Sequence, residues 1–344
     1  GLAARMKKPL RVALLFLLSL AVIGVLLWFG DIKKVGTLIE HFQRIYFLWF
    51  LLLMLAHEAL RTALWIYLLR ALCVDVPLRT AVFVFAAGEA AKFLPTGAYF
   101  QNYLLQRSRG VDFGRSSAAT TYIIVSEIVA ALALLAIIGL GPWSIWLRPL
   151  ILAGVPLFAL IAWGLAQVHT HPRAPRWVKE HRVLRKALVE FRRFRQGAAA
   201  LFHARIVGIT LLLSSAYVIT AGATLYIVFP AIGVGGVSFG QALAAYCFGL
   251  AFYLILGSLE AASVAAFIVV GASRSAAVTA IVINRALTLG GTLVLALVAM
   301  AVLYDEFRAV LWPEEATSSP RALAPQTADA ANPVVSPCER RCER

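Results

Sequence analysis

Two apolar stretches of this chain, residues 88–128 and 249–287, resemble each other although they lie about 160 residues apart. Each is interrupted by residues that disfavour a continuous helix, Pro95-Thr96-Gly97 in the first and Gly257-Ser258 in the second. A repeated, broken segment in a hydrophobic chain is typical of a transporter built from two halves, with the substrate between the broken helices. Chance similarity among Ala- and Gly-rich membrane helices is the alternative.

The composition indicates an integral membrane protein. Apolar residues make up 61% of the 344 residues, charged residues make up 14%, and the mean hydropathy is +0.83. A soluble domain needs far more charge to cover its surface. The net charge of +15 lies in loops and ends. It therefore indicates orientation and contact with anionic lipid rather than nucleic-acid binding.

Eight apolar segments are candidates for entering the bilayer, where one crossing takes about 20 apolar residues. Six are continuous and are expected to span the membrane: 12–30, 46–70, 116–140, 149–168, 204–229 and 275–303. The other two, about 80–105 and 237–272, contain the breaks and are expected to be re-entrant hairpins. The stretch from Val12 to Gly30 is too long for a removable signal peptide.

The order of these segments is two spans, a hairpin and a span, and then the same series again. Because each half crosses the membrane an odd number of times, the second half is inserted upside down relative to the first. We therefore predict an all-α integral membrane protein, an inverted repeat with six full spans and two re-entrant hairpins. The predicted parts are an N-terminus (1–11), a first repeat (12–140), a second repeat (141–303) and a disordered cytoplasmic tail (304–344).

The distribution of basic residues predicts the orientation. Four of them precede the first span and place the N-terminus in the cytoplasm: Arg5, Lys7, Lys8 and Arg11. Following the crossings puts the first hairpin, the basic loop 169–203 and the C-terminus on the same side. The second hairpin, with only Arg274 beside it, then opens outward. We expect a multi-pass protein of the bacterial inner (cytoplasmic) membrane.

Two amphipathic segments, 31–45 and 177–194, lie between spans. Their apolar residues recur at helical spacing with charged residues on the other face, which suits a helix in the headgroup layer. A plain solvated connector is the alternative for the first segment. The charge of the second is one-sidedly basic, which favours the interfacial interpretation.

Ionisable residues inside spans are costly and mark candidate functional sites. His57, Glu58 and Arg61 lie within the second span and are candidates for proton coupling or for an ion pair. Glu127 follows the first hairpin, and Arg285 occupies the corresponding helix after the second. The alternative role of these residues is to lock the bundle, through Glu58 with Arg61 and Glu127 with Arg285.

Polar residues beside the helix breaks are candidates for binding a substrate. Exposed amides and half-helix dipoles favour an anion there, so Lys92 and Arg285 suit a phosphate headgroup. An acid such as Glu260 suits a cationic headgroup or a coupling proton. The predicted substrate-binding set is Lys92, Pro95, Thr96, Gly97, Gln101, Asn102, Glu127, Gly257, Ser258, Glu260 and Arg285.

Motifs of several other chemistries are missing from the sequence. It has no Gly-x-x-x-x-Gly-Lys-Ser/Thr loop for a nucleotide. The pair His169 and His171 has no carboxylate or cysteine nearby and is interpreted as solvated rather than metal-binding. We therefore predict no catalytic residue, no metal and no cofactor, and we do not expect an enzyme.

The pattern Gly-x(5)-Leu-Pro-x-Gly, followed by a loop glycine and a span with a buried Glu, resembles the lysylphosphatidylglycerol synthase transmembrane-region family. The residues that carry it are Gly88, Leu94, Pro95, Gly97, Gly110 and Glu127, and in the second half Gly257, Glu260, Gly271 and Arg285. The family includes the flippase domain of the multiple peptide resistance factor and hopanoid-associated membrane proteins. The resemblance covers about residues 10–305 and implies the lipid-moving part of such proteins rather than synthesis. Ala98–Asn102 and Leu256–Leu259 depart from the family's pattern.

Together these features predict a lipid transporter, similar to a flippase, that moves an amphiphile between leaflets. The lipid is expected to be a phospholipid, a hopanoid or a polyprenyl-linked precursor, and membrane lipids are the expected partners. Two alternatives stay open, a structural or partner-binding subunit of an envelope-lipid assembly complex and a membrane-embedded lipid-modifying transferase. Homodimer formation also stays open, and no nucleic-acid partner is expected.

Overall fold

The computed structural model of the protein describes residues 28, 31–91, 97–139, 182–252 and 258–302. These residues are almost entirely helical, and no strand occurs among them. The helices are α1 (Ile32–Glu40), α2 (Ile45–Ala71), α3 (Leu78–Ala90), α4 (Phe100–Arg109), α5 (Phe113–Ile138), α6 (Arg182–Ala200), α7 (Ala204–Ala231), α8 (Phe239–Ala251), α9 (Ser258–Val269) and α10 (Arg274–Val302). A 3-10 turn, Gly97–Tyr99, precedes α4.

Four helices of the described part, α2, α5, α7 and α10, are long and apolar enough to cross a bilayer. The shortest has 26 residues, about 39 Å at 1.5 Å per residue, which exceeds the roughly 30 Å hydrocarbon core. They coincide with the predicted spans at 46–70, 116–140, 204–229 and 275–303. An all-α, multi-pass membrane protein is thus confirmed. The predicted spans at 12–30 and 149–168, and the tail 304–344, lie outside the described residues.

Four shorter helices flank the two predicted breaks. α3 and α4 have 13 and 10 residues, and α8 and α9 have 13 and 12, so none of them crosses a bilayer alone. Each pair packs together, as the two arms of a hairpin do. The breaks themselves, 92–96 and 253–257, lie outside the described residues, and the re-entrant arrangement stays a prediction.

The two arms of each hairpin meet closely at one glycine. A Cβ atom at Gly88 of α3 would lie 2.6 Å from the Cβ of Gln101 in α4. A Cβ atom at Gly249 of α8 would lie 2.7 Å from the carbonyl oxygen of Leu259 in α9. Such distances are too short for real atoms, so only a residue without a side chain lets the arms approach. These are the two glycines at which the repeated stretches begin.

The two halves of the described chain exchange contacts reciprocally. α1 and α3 of the first half pack on α10, the last long helix of the second half. α6 and α8 of the second half pack on α5, the last long helix of the first half. The corresponding long helices α2 and α7 pack on each other. Two halves related by a two-fold axis give this pattern, and the complete inverted repeat stays a prediction.

Both amphipathic segments contain helices that pack on this bundle. Val35 of α1 is 1% exposed within a hydrophobic core, so the interpretation of this segment as a plain solvated connector is wrong. α6 crosses the first turn of α5, where Arg193 lies 2.5 Å from Asp112. The Glu190 carboxylate also accepts a hydrogen bond at 2.7 Å from the backbone N–H of Gly114, a donor without an intrahelical partner. A position of either helix in the headgroup layer stays a prediction.

Candidate functional site

Six polar side chains from four helices meet inside the bundle, and each is at most 9% exposed. We call this group the Arg61 cluster: His57, Glu58 and Arg61 from α2, Glu89 from α3, Glu127 from α5 and Tyr217 from α7. Charged groups in such a setting are costly unless they are paired.

The guanidinium group of Arg61 contacts two carboxylates. Its Nη2 donates a hydrogen bond to Oε2 of Glu127 at 3.1 Å, and its Nε lies 2.9 Å from Oε1 of the same residue. Its Nη1 lies 3.6 Å from Oε2 of Glu89 on α3. A planar, always charged guanidinium suits such a two-sided contact. The alternative that Glu127 pairs with Arg285 is therefore wrong.

Tyr217 of α7 covers this cluster from one side. Its ring stacks on the imidazole of His57 with the ring centres 4.1 Å apart, and the guanidinium carbon of Arg61 lies 5.1 Å from the ring centre. The face of an aromatic ring stabilises a cation at this distance. Tyr246 of α8 lies close to Tyr217. The cluster thus extends from α2 and α3 to α7 and α8.

A cavity of about 360 Å³ lies on the other side of the cluster, between α2, α3 and α10. Glu58 and Glu89 form part of its wall, with Thr62 and Thr292, and the Oε1 atom of Glu58 lies 4.0 Å from Nε2 of His57. The rest of the wall is apolar, for example Leu55, Ala59, Val82, Phe85, Leu295 and Val298. Its volume falls in the range of small-molecule sites, about 300–1,000 Å³. The combination of an apolar wall and two carboxylates suits an amphiphile.

The cavity marks an asymmetry between the two halves. α2 and α10 meet at Met54 and Gly291, and the cavity begins one residue further along each helix. The corresponding region of the other half, between α7, α8 and α5, is closely packed. There the Oγ atoms of Ser126 and Ser214 are 2.8 Å apart, and a Cβ atom at Gly222 would lie 2.6 Å from Leu243. One of two corresponding interfaces is therefore open and the other is closed.

A second charged pair follows the second break. Nε of Arg285 on α10 lies 3.1 Å from Oε1 of Glu260 on α9. The Arg285 side chain is 41% exposed and that of Glu260 is 14% exposed, so this pair is far more accessible than the Arg61 cluster. Along α10, Arg285 precedes the cavity residue Thr292 by seven residues, or about 10 Å. Two predicted binding residues are thus brought together.

The comparison with known protein families decides the assignment. The family model of the lysylphosphatidylglycerol synthase TM region matches residues 16–296. The chain belongs to this family. The match spans all the described helices up to the last turns of α10, including the Arg61 cluster and the hairpin arms. The lysylphosphatidylglycerol synthase TM family is a membrane family linked to lipid flippase function. No curated protein and no solved structure matches the chain.

The remaining predicted site residues of this family member lie mainly around the first break. Gly97 is buried in the 3-10 turn. Gln101 and Asn102 are buried on α4 and donate hydrogen bonds at 3.2 and 2.9 Å to Oγ1 of Thr120 on α5, which ties the second hairpin arm to the following span. Lys92, Pro95, Thr96 and Gly257 lie outside the described residues, as does the side chain of Ser258. Substrate binding by the whole set stays a prediction.

Sequence reasoning missed three parts of the site. Tyr217, Thr120 and the pair of Ser126 and Ser214 were not predicted, although each is a polar residue within a strongly apolar helix. A polar residue within a strongly apolar helix is the sequence signal that would have identified these residues. Among the described residues, no group of three His, Cys, Asp or Glu side chains is arranged to hold a metal ion.

Proposed function

We propose that this protein moves an amphiphilic lipid between the leaflets of the membrane. The supporting observation is the cavity between α2, α3 and α10, which has an apolar wall and two carboxylates from the Arg61 cluster. The tails pack on the apolar wall and remain continuous with the bilayer, while the headgroup lies beside Glu58 and Glu89. Headgroup transfer through lipid alone is slow because polar groups are costly in hydrocarbon. The two carboxylates in the otherwise apolar cavity wall lower that cost.

The mechanism that we propose is alternating opening of two corresponding interfaces. With the N-terminus in the cytoplasm, α2 and α10 both run inward, so the cavity beside the second half of α2 and the end of α10 belongs to the cytoplasmic half of the membrane. The closely packed region between α5, α7 and α8 then belongs to the outer half. Closing the first region while opening the second exposes the same central cluster to the other leaflet.

Arg285 and Glu260 supply a second contact for the headgroup in this proposal. The pair lies directly after the second break, and its arginine is accessible enough to exchange Glu260 for a lipid phosphate. In the Arg61 cluster, in contrast, the arginine already forms ion pairs with carboxylates of the protein. We therefore assign headgroup phosphate recognition to Arg285 and cavity polarity to Glu58 and Glu89.

Blocking the cavity tests this function. Purified full-length protein in liposomes is assayed for inner-to-outer transfer of a fluorescent phospholipid, followed by chemical quenching of the outer leaflet. Ala59→Trp puts a bulky ring into the cavity wall and should strongly slow transfer. Ala63→Trp, on an exposed face of the same helix, is the matched control and should transfer at the wild-type rate. Wild-type vesicles that transfer lipid no faster than protein-free vesicles would overturn the proposal.

A further inference from the structure

We propose that a second pocket, between α2, α5 and α6, binds the phosphate headgroup of an anionic membrane lipid. This pocket has a volume of about 310 Å³. Its lining consists of Leu72 directly after α2, Asp112 and Arg115 at the start of α5, and four residues of α6 between positions 193 and 200. The pocket is separate from the cavity assigned to lipid transport, and either proposal can fail without the other.

The lining of this pocket carries an excess of positive charge. It includes the guanidinium groups of Arg115 and Arg193 and the carboxylate of Asp112, so its net charge is two minus one, or +1. Arg193 lies 2.5 Å from Asp112 and 3.3 Å from Glu190, so its charge is already shared between two carboxylates. In the described part of the chain, the Arg115 side chain forms neither an ion pair nor a hydrogen bond. The donors of Arg115 are therefore available for a ligand.

The surroundings of the pocket are also basic. The sequence of α6 contains six basic residues and one acidic residue, Glu190. The pocket lies beside the positive end of the α5 helix dipole, because Asp112 is the N-cap of α5 and Arg115 belongs to its first turn. Charge complementarity therefore favours an anion as the ligand. A guanidinium group binds phosphate oxygens through paired hydrogen bonds, and the side-chain amide of Gln196 adds a further donor.

The position of the pocket favours a lipid over a soluble phosphate. α2 and α5 are both long and apolar enough to cross a bilayer, and the pocket lies where α2 ends and α5 begins. This position corresponds to the surface of the membrane. On α6, the ring of Phe191 is 60% exposed and stacks on Phe194 with the ring centres 6.4 Å apart. An exposed aromatic side chain on a basic helix is typical of a helix that contacts the headgroup layer.

The size and the rigidity of the pocket suit a headgroup. Its volume lies at the lower end of the range for small-molecule sites, about 300–1,000 Å³, so the lipid tails remain outside it, in the bilayer. Its walls are held together because α6 packs closely on α5. A Cβ atom at Gly197 would lie 3.0 Å from the Cβ of Ala118, and the Glu190 carboxylate accepts a hydrogen bond from the backbone N–H of Gly114. The site is therefore formed before the lipid binds.

Native mass spectrometry of the full-length protein titrated with phosphatidylglycerol in detergent tests the site. Arg115→Gln should weaken the affinity for one lipid by at least about tenfold, because it removes charge-assisted hydrogen bonds. Ala200→Glu puts a carboxylate into the lining and should have a similar effect. Ala199→Glu, on the exposed neighbour outside the lining, is the matched control and should bind as the wild type does. Equal weakening by the two glutamates would indicate diffuse attraction to a basic helix and would overturn the proposal.

Hydrogen exchange measured by mass spectrometry locates the bound lipid. Phosphatidylglycerol should slow exchange in α6 of the wild-type protein and should not do so in Arg115→Gln. Arg285→Ala should keep this protection even where it loses lipid transfer, which separates the two sites. Protection that persists in a well-folded Arg115→Gln protein would overturn the proposal. Equal protection by glycerol 3-phosphate, a soluble phosphate, or by phosphatidylcholine, whose headgroup has no net charge, would also overturn it.

Discussion

Arg61 of α2 and Glu127 of α5 form a buried ion pair with two points of contact, an Nη2 to Oε2 hydrogen bond of 3.1 Å and an Nε to Oε1 distance of 2.9 Å. In the second copy of the repeated stretch, Arg285 takes the place that Glu127 has in the first. The corresponding residues thus carry opposite charges, and each finds its partner within its own half. The Arg61–Glu127 pair is buried, whereas Arg285 in the Arg285–Glu260 pair is partly exposed. The two pairs therefore lead to different predictions.

Arg61→Met should destabilise the protein, because it leaves the buried Glu127 carboxylate without its cation. Breaking a buried pair from one side costs about 3–5 kcal/mol in the free energy of unfolding. The double variant Arg61→Met with Glu127→Gln should recover part of this loss, because the Glu127 charge is removed, whereas Glu89 still loses its contact with Arg61. Thermal unfolding in detergent measures both. Equal melting temperatures for the single and double variants would show that the pair does not stabilise the bundle.

Arg285→Ala should leave folding nearly intact and strongly reduce lipid transfer. Its pair with Glu260 is accessible, and such pairs contribute only about 0–1 kcal/mol to stability. Arg285→Lys keeps the charge without the two-pronged hydrogen bonding and should retain partial transfer. Melting curves and the liposome assay are read together. A well-folded Arg285→Ala protein with normal transfer would remove this residue from the headgroup site.

Gly88→Ala and Gly249→Ala should each destabilise the protein by about 1–3 kcal/mol, the usual cost of overpacking. Each new methyl group meets the opposite arm of its hairpin at a distance that real atoms do not adopt. Gly208→Ala and Gly290→Ala are the matched controls, because a Cβ at either helical position meets nothing within 4 Å. These controls should be neutral or stabilising by up to about 1 kcal/mol. Chemical denaturation in mixed micelles measures the difference.

Single cysteines introduced at positions 143 and 186 test the predicted orientation. A membrane-impermeant reagent added outside intact cells should label Trp143→Cys and should not label Lys186→Cys until the membrane is opened. The positive-inside distribution of the basic residues is the physical reason for this expectation. The reverse labelling pattern would place the open cavity on the outer side.

The described spans could be predicted from the sequence because their signal is local. A run of about 20 apolar residues has few alternatives to a membrane helix, and α2, α5, α7 and α10 lie where the hydropathy placed them. The glycines at 88 and 249 were also recognised, through the repeated pattern. Their role as contacts between hairpin arms needed the structure, because it depends on residues about ten positions away.

The pairing of the charged residues could not be predicted in the same way. Glu58 and Arg61 are three residues apart on α2, and residues at this spacing on a helix are neighbours. This rule applies only within one helix, so it gave no reason to connect Arg61 with Glu127, 66 residues away. The correct partner depends on which faces of α2 and α5 meet, and hydropathy does not specify those faces when nearly every residue is apolar. The open cavity depends on the same long-range packing.

A reversible crosslink between α5 and α7 tests alternating opening most directly. Because the Oγ atoms of Ser126 and Ser214 are 2.8 Å apart, cysteines at these positions lie within reach of a disulfide. With the four native cysteines replaced, Ser126→Cys with Ser214→Cys should lose lipid transfer on oxidation and regain it on reduction, whereas either single variant should not respond. Full transfer by the crosslinked protein would contradict the account, because the closed interface would then never need to open.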